Sequence, residues 1–283
     1  MHEPARYRVG DFDLAIVSDG HIELDGGAVF GLIPRVLWEP IIGRENIDDS
    51  YRIPLGLNCM VVRRGDEVLL IETGMGTKHT DARAFPGDYG HLLASLGRLG
   101  LTPDDVTVVA NTHLHADHCG WNTILRDGDL VPTFPRARYF IQKNEWNVAL
   151  HPNERTRGTY FADNFEPLSR SGQLELVDGD REIVPGVHFL PAPGHTADHA
   201  MIVLASGGET AIYTGDLIHH AVQIERLAWI AAFDVLPLLS LETKRQLAAR
   251  AIRENALLIS AHSAFPGAGR LTERDGRRTF VAE

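Results

Sequence analysis

The chain is poor in cysteine, in basic residues and in long apolar runs, and each shortage closes off a class of function. Two cysteines, Cys59 and Cys119, in 283 residues make no disulfide framework. Cys59 lies in the apolar run Asn58-Cys59-Met60-Val61-Val62 and reads as a packing residue; Cys119 directly follows a histidine cluster and reads as its small packing neighbour. Lys and Arg number 27 against 38 Asp and Glu, a formal net charge of −11. That balance disfavours nucleic acid, whose phosphates need a basic surface, and an anionic membrane surface as well. No apolar run reaches the roughly 18 residues that a membrane helix needs. The first ten residues are polar and lack the apolar centre of a signal peptide, which points to a cytoplasmic protein.

What is present fits an ordinary soluble domain, with 44% hydrophobic and 23% charged residues. Residues 12–18 read as a strand entering a turn at Asp19-Gly20, and residues 58–62 and 67–71 flank a hairpin at Arg63-Arg64-Gly65-Asp66. Leu92, Leu93, Leu96 and Leu99 have the spacing of an amphipathic helix closed by Gly100. Residues 106–110, 138–142, 186–190, 201–204, 211–214 and 257–260 read as strands, and 241–255 as a helix with Leu247, Ala251 and Ile252 on one side. No Pro/Gly/Ser linker divides them, so residues 1–283 are expected to form a single domain of two sheets packed face to face with helices outside. Residues 22–53 show little periodicity yet carry Phe30, Leu32, Ile33, Val36, Leu37 and Trp38, which suits either a core cover or a lid or substrate wall.

The chemistry is concentrated in residues 112–120, Thr-His-Leu-His-Ala-Asp-His-Cys-Gly, where His113, His115, Asp117 and His118 form the pattern H-x-H-x-D-H. Imidazole and carboxylate suit zinc and similar first-row ions. One short turn cannot aim four such side chains at a single tetrahedral ion, so the spacing points to two adjacent metals. Three later strand ends offer further ligands: His195 in Pro193-Gly194-His195-Thr196, Asp216 in Tyr213-Thr214-Gly215-Asp216, and His262 in Ser260-Ala261-His262. Each presents one ligand-type side chain just past a buried strand, where a rigid scaffold can hold it.

In this order of motifs the sequence resembles the metallo-β-lactamase superfamily of binuclear metallohydrolases, over about residues 55–275. The resemblance implies an αββα sandwich, an α+β fold of two mixed β-sheets with the metals at one edge between them. It implies that His113, His115 and His195 hold one divalent ion, that Asp117, His118 and His262 hold a second, and that Asp216 bridges both, the ions being Zn2+. The superfamily's usual Asp-Thr-Gly is here Glu72-Thr73-Gly74, a longer carboxylate behind the site that is not expected to be a ligand. The motifs Gly215-Asp216-Leu217-Ile218 and His262-Ser263-Ala264-Phe265-Pro266-Gly267 resemble methyl parathion hydrolase and its lactone- and ester-hydrolysing relatives. Acyl-homoserine lactonases share the metal set but carry a Tyr three residues after the bridging Asp, where this chain has His219.

The reaction so implied is attack of a metal-bridging hydroxide on a lactone or ester, or on a phosphotriester, with no Ser or Cys nucleophile. Asp117 is the candidate proton relay and His219 the candidate oxyanion or proton donor; His199 is expected to support the site from behind or to pack in the core. Trp229, Phe233 and Phe265 are candidates for an apolar substrate wall, the substrate being a small uncharged or apolar molecule, and the apolar 28–38 stretch is a candidate homodimer interface. The competing readings are a one-iron persulfide dioxygenase and another superfamily hydrolase such as a thioesterase or β-lactamase.

Overall fold

In the computed structural model, which describes residues 2–79 and 85–283, the run Leu57-Asn58-Cys59-Met60-Val61-Val62 is buried at every position. A strand with that pattern must be covered on both faces. Met60 and Val62 face the core between two sheets, while Cys59 and Val61 face an outer core under helices. The same division recurs farther along the chain, where Ile202 and Leu204 point inward and Met201 and Val203 outward. Two doubly covered sheets stacked face to face are the four layers of an αββα sandwich.

The first sheet contains β1 (Ala5–Val9), β2 (Phe12–Asp25), β3 (Arg52–Arg64), β4 (Glu67–Ile71), β5 (Gly87–Tyr89) and β6 (Val108–Ala110). A separate hairpin, β7 (Thr123–Arg126) and β8 (Asp129–Pro132), precedes its last two strands, β9 (Arg138–Gln142) and β10 (Leu174–Val177). The order is β1-β2-β3-β4-β6-β9-β10, with β5 on β2 and parallel pairing from β4 onward. The second sheet runs in chain order through β11 (Arg181–Val184), β12 (Val187–Pro191), β13 (Ala200–Ser206), β14 (Glu209–Tyr213), β15 (Leu257–Ile259), β16 (Ala268–Arg274) and β17 (Arg277–Ala282). Only β14 and β15 pair parallel within it.

Among the helices, α1 (Gly26–Phe30) and α2 (Arg35–Ile42) sit beside the site edge, and α3 (Leu92–Gly97) covers the first sheet. A one-turn α4 (Ala116–Cys119) carries part of the metal run; α5 (Lys143–Leu150) and α6 (Leu168–Ser171) complete the outer layer of the first sheet. The second sheet is covered by α7 (Val222–Glu225) and α8 (Pro237–Glu254), the latter burying Leu247, Ala248 and Ala251. Pro237 starts α8 and left-handed Asn255 ends it, so the helix begins four residues before the expected start.

Two expectations are corrected. Asp19-Gly20 is not a turn: β2 continues through it to Asp25 with a register shift between Ser18 and His21, because Asp19 turns inward to accept four hydrogen bonds. Residues 22–53 are not an aperiodic segment either. They comprise the end of β2, α1 capped by Asp25 on the Ala28 N–H, α2, and a turn of 3-10 helix at Arg44–Asn46. The segment divides by side chain: Val29, Phe30 and Trp38 are buried, Ile22, Leu24 and Ala28 line a cavity, and Leu32 and Val36 face solvent.

Candidate metal centre

Four strand ends deliver the ligand-type side chains to one edge between the sheets. The metal run leaves β6, His195 follows β12, Asp216 follows β14 and His262 follows β15. Gly194 and Gly215 both have positive φ and lie against other segments. A Cβ on Gly194 would stand 2.4 Å from the Ser240 Cα, and one on Gly215 would stand 2.5 Å from His199 Nε2. These turns therefore need glycine, which is why each ligand follows one.

The geometry divides the donors into two sets around one carboxylate. Asp216 Oδ2 lies 3.3 Å from His195 Nε2 and 3.8 Å from His113 Nε2, while Oδ1 lies 3.0 Å from His118 Nε2 and 2.9 Å from His262 Nε2. His115 Nδ1 joins the first set, 3.0 Å from both His113 Nε2 and His195 Nε2. Asp117 Oδ2 joins the second, 3.6 Å from His262 Nε2 and 3.7 Å from His118 Nε2. Within each set the ligand atoms lie within 4.8 Å of one another. All seven residues the sequence singled out as metal ligands are thus brought together.

The donor set fits divalent cations on two further observations. Buried imidazole nitrogens face one another at 3.0–3.2 Å, and Asp216 Oδ1 has no well-formed hydrogen bond among the described residues. Leaving so many polar atoms buried without partners is costly unless a cation gathers them. Moreover, the rear nitrogens of three of the imidazoles are held by the protein, as ligand histidines require. His113 Nδ1 meets Thr112 Oγ1 at 3.0 Å, His195 Nδ1 donates to Asp234 Oδ1 at 3.1 Å, and His262 Nδ1 donates to the Gly56 carbonyl at 2.8 Å.

Charge is unevenly spread over the imidazoles, and His195, despite burial that lowers it, is raised by Asp216 and Asp234 although its partners in the first set are lowered. Burial, then the neighbouring imidazoles of His118 and His115, hold His113 well below the usual histidine range; His115 is lowered in the same way by burial and His195. Burial acts to lower His118 too, but the carboxylates of Asp216, Asp117 and Glu72 outweigh it and raise it well above that range. Asp216 itself, despite burial that opposes ionisation, is pulled well below the carboxylate range by His118, His262, His195 and His219.

Above this cluster opens a cavity of about 390 Å³ whose floor includes His115, Asp117, Asp216, His219 and His262. Its wall is apolar at Ile22, Leu24, Ala28, Phe85, Phe233 and Val235, with a polar edge at Arg155, Thr156 and Thr159.

Comparison with known proteins agrees with the fold and with the superfamily resemblance. The family model of the metallo-beta-lactamase superfamily matches residues 52–262. The chain belongs to the metallo-beta-lactamase superfamily. An N-acyl homoserine lactonase from Bacillus thuringiensis is 25% identical over 218 residues, covering 72% of this chain and 80% of the relative. A probable metal-dependent hydrolase from Staphylococcus aureus superposes with a TM-score of 0.88 at 26% identity, over 98% of this chain and 99% of its own. AidC, a dizinc quorum-quenching lactonase solved with a product, N-hexanoyl-L-homoserine, superposes with a TM-score of 0.83 at 23% identity, over 99% of this chain and 97% of its own.

The departures of this superfamily member from the usual motifs have a local account. Glu72 Oε1 accepts from the Thr112 N–H at 2.9 Å and from the Thr112 hydroxyl, and Oε2 accepts from Asn111 Nδ2 at 3.2 Å. It also faces His118 Nδ1 at 3.5 Å, so the longer carboxylate braces the start of the metal run and the rear of one ligand. His219 is buried, with Nε2 3.3 Å from Asp216 Oδ2 and its ring between those of His262 and Phe233. His199 accepts the Asp216 N–H at Nε2 and donates to the Ala192 carbonyl, supporting the carboxylate from behind.

Of the three aromatic residues expected on a substrate wall, Phe233 alone lines this cavity. Trp229 is packed beside Phe30, and Phe265 stacks on His2 at a separate cavity, because each of them finds an aromatic partner away from the site. Cys119 is a packing residue whose thiol faces the Leu114 and His115 carbonyls. Sequence reasoning passed over two buried carboxylates. Asp234 holds His195, and Glu145 accepts from the Leu114 N–H and the hydroxyls of Tyr160 and Thr196, tying α5 to both ligand loops. Asp234 had a signal: it is the only charged residue in the apolar stretch 227–239. Glu145, on an ordinary amphipathic helix, had none.

Proposed function

We propose that the protein is a binuclear metal-dependent hydrolase of lactones, with Zn2+ the expected ion at both positions. The observation that carries the reading is the division of Asp216, one oxygen to each histidine set. Two bound divalent ions would supply a water acidic enough to ionise near neutral pH and an electrophilic contact for the substrate carbonyl. His113, His115 and His195 would hold one ion, Asp117, His118 and His262 the other, and Asp216 both.

The chain's own groups then orient the substrate and move the proton. Asp117 is the least buried of the seven ligands, its side chain 18% exposed at the cavity floor, and can carry a proton to the departing alcohol oxygen. His219 lines the cavity, and its buried Nε2, 3.3 Å from Asp216 Oδ2 with no well-formed hydrogen bond among the described residues, is the candidate donor to the oxygen that gains charge as the carbonyl is attacked. The apolar wall at Ile22, Leu24, Ala28 and Phe233 excludes water and accepts an uncharged substrate with an apolar tail. The end of β2 and α1 thus act as a substrate wall for the single domain.

Support from the relatives is of two kinds. The Bacillus thuringiensis relative is an N-acyl homoserine lactonase, and AidC is a dizinc lactonase. The second donor set weighs against a one-iron dioxygenase, which would leave Asp117, His118 and His262 without a task. The test is metal analysis coupled to a panel of lactones, aryl esters and phosphotriesters on the same preparation. Two metal equivalents with lactones turned over fastest are expected; one iron with oxygen uptake, or no hydrolysis of any member, overturns the reading.

A further inference from the structure

We propose that Arg155 is a specificity-determining residue of this site, which reads an acceptor oxygen on the substrate tail and so selects lactones carrying an amide beside the ring over plain alkyl lactones. The inference rests on the lactonase reading above and deepens it. Arg155 is the one permanently cationic side chain among the described residues that line the cavity, and no ion pair holds it among the described residues. Among the described residues its one side-chain hydrogen bond runs from Nη2 to the Ala232 carbonyl at 2.9 Å, which uses one of five guanidinium N–H donors.

The arginine is also held in place. Asn153 Oδ1 accepts the N–H groups of Arg155 and Thr156 at 2.9 and 3.2 Å, and the Ala116 N–H donates to the Thr159 carbonyl at 2.8 Å, one residue before Asp117. The loop that bears Arg155 is therefore fastened at one end to the metal run, and its guanidinium is fastened to the wall loop next to Phe233. A cavity of 390 Å³ is only about 9 Å across if rounded, so a group bound over Asp216 and a group at Arg155 belong to one small molecule. The surrounding wall is apolar, which suits a neutral acceptor set on a hydrocarbon tail, such as an amide carbonyl. Arg155 lies at the exposed edge of the cavity, where a plain alkyl or aryl tail offers its guanidinium no acceptor and leaves the free donors to solvent, so the contact is gained only by a tail that carries one.

The experiment compares N-hexanoyl homoserine lactone with an alkyl γ-butyrolactone of matched length, on zinc-loaded wild type, Arg155→Met and Arg155→Gln. Arg155→Gln keeps an N–H for the Ala232 carbonyl and so separates substrate reading from loop support. Expected are a KM for the amide lactone raised about tenfold in both variants and alkyl-lactone kinetics within about twofold of wild type. Equal losses on both substrates, or no loss on either, overturn the assignment to Arg155 while leaving the lactonase reading intact. A stronger Arg155 dependence for a carboxylate-bearing lactone than for the amide overturns the amide assignment. Wild type inert on every lactone overturns both readings.

Discussion

Asp234 Oδ1 accepts the Nδ1–H of His195 at 3.1 Å, and this fixes the imidazole with Nε2 toward Asp216. The contact joins two parts of the site. Asp234 belongs to the loop that also places Phe233 and Val235 on the cavity wall, and the Val235 N–H donates to the His195 carbonyl at 3.0 Å. The wall that would select a substrate is thereby fastened to a residue that would hold a metal. Asp234→Asn is expected to weaken metal affinity by about 10–100-fold. Competition against a chromophoric chelator measures it, and an unchanged affinity would remove Asp234 from the support of His195.

Asp216→Asn tests the shared carboxylate. An amide presents one poor oxygen donor in place of two charged ones, so the variant is expected to retain less than the wild-type metal complement after dialysis. Lactone hydrolysis is expected to fall by roughly a hundredfold or more. Metal analysis beside initial rates is the measurement; full metal content with full activity contradicts the bridging role.

Metal removal should destabilise the whole fold, because the ligands come from both sheets. At free metal about 100 times Kd, binding to the native state contributes about 2.7 kcal/mol per site, which corresponds to roughly 5–10 °C in Tm. Thermal unfolding with and without a chelator, followed by zinc add-back, checks the shift and its reversal.

Lys244 gives a pH dependence one residue removed from the histidine sets, since the Asp234 carboxylate that holds His195 partly opposes its shift. It is buried on α8, donates to the Trp229 carbonyl at 2.8 Å, and burial pushes its ammonium down to about 8. The folded protein therefore sheds this proton while the unfolded chain keeps it up to about 10.5, so the contribution of Lys244 to stability rises with pH across that window. Relative to Lys244→Met, wild type is expected to gain about 3 kcal/mol between pH 8 and 10.5. Denaturant titrations of both proteins across that range measure the difference, and a flat difference contradicts the burial cost.

Glu72 is the residue where the sequence departs from its superfamily. Glu72→Ala would leave the Thr112 N–H and Asn111 Nδ2 without this acceptor, at a cost of about 1–3 kcal/mol for each unsatisfied group. Glu72→Gln keeps one acceptor oxygen and is expected to be milder. Urea midpoints rank the two, and a neutral Glu72→Ala would mean that the brace carries no load.

The seven residues that the fold gathers at one edge were legible in the sequence because metal chemistry constrains the residue types such a cluster needs and, within residues 113–118, their covalent spacing. The two-sheet architecture was legible for a related reason. Runs such as residues 59–62 are apolar at every position, which only a strand covered on both faces requires. The tertiary structure alone decided the rest. Asp216 contributes one oxygen to each histidine set, Asp234 meets a histidine 39 positions away, and Arg155 meets a cavity built from β2, α1 and the wall loop. Asp234 stands out as the lone charge of residues 227–239, but none of these pairings has a local signature, because each depends on which loops the packed sheets bring to the same edge. Residues 22–53 show the limit most directly: their apolar residues divide among core, cavity wall and solvent according to what packs beside them.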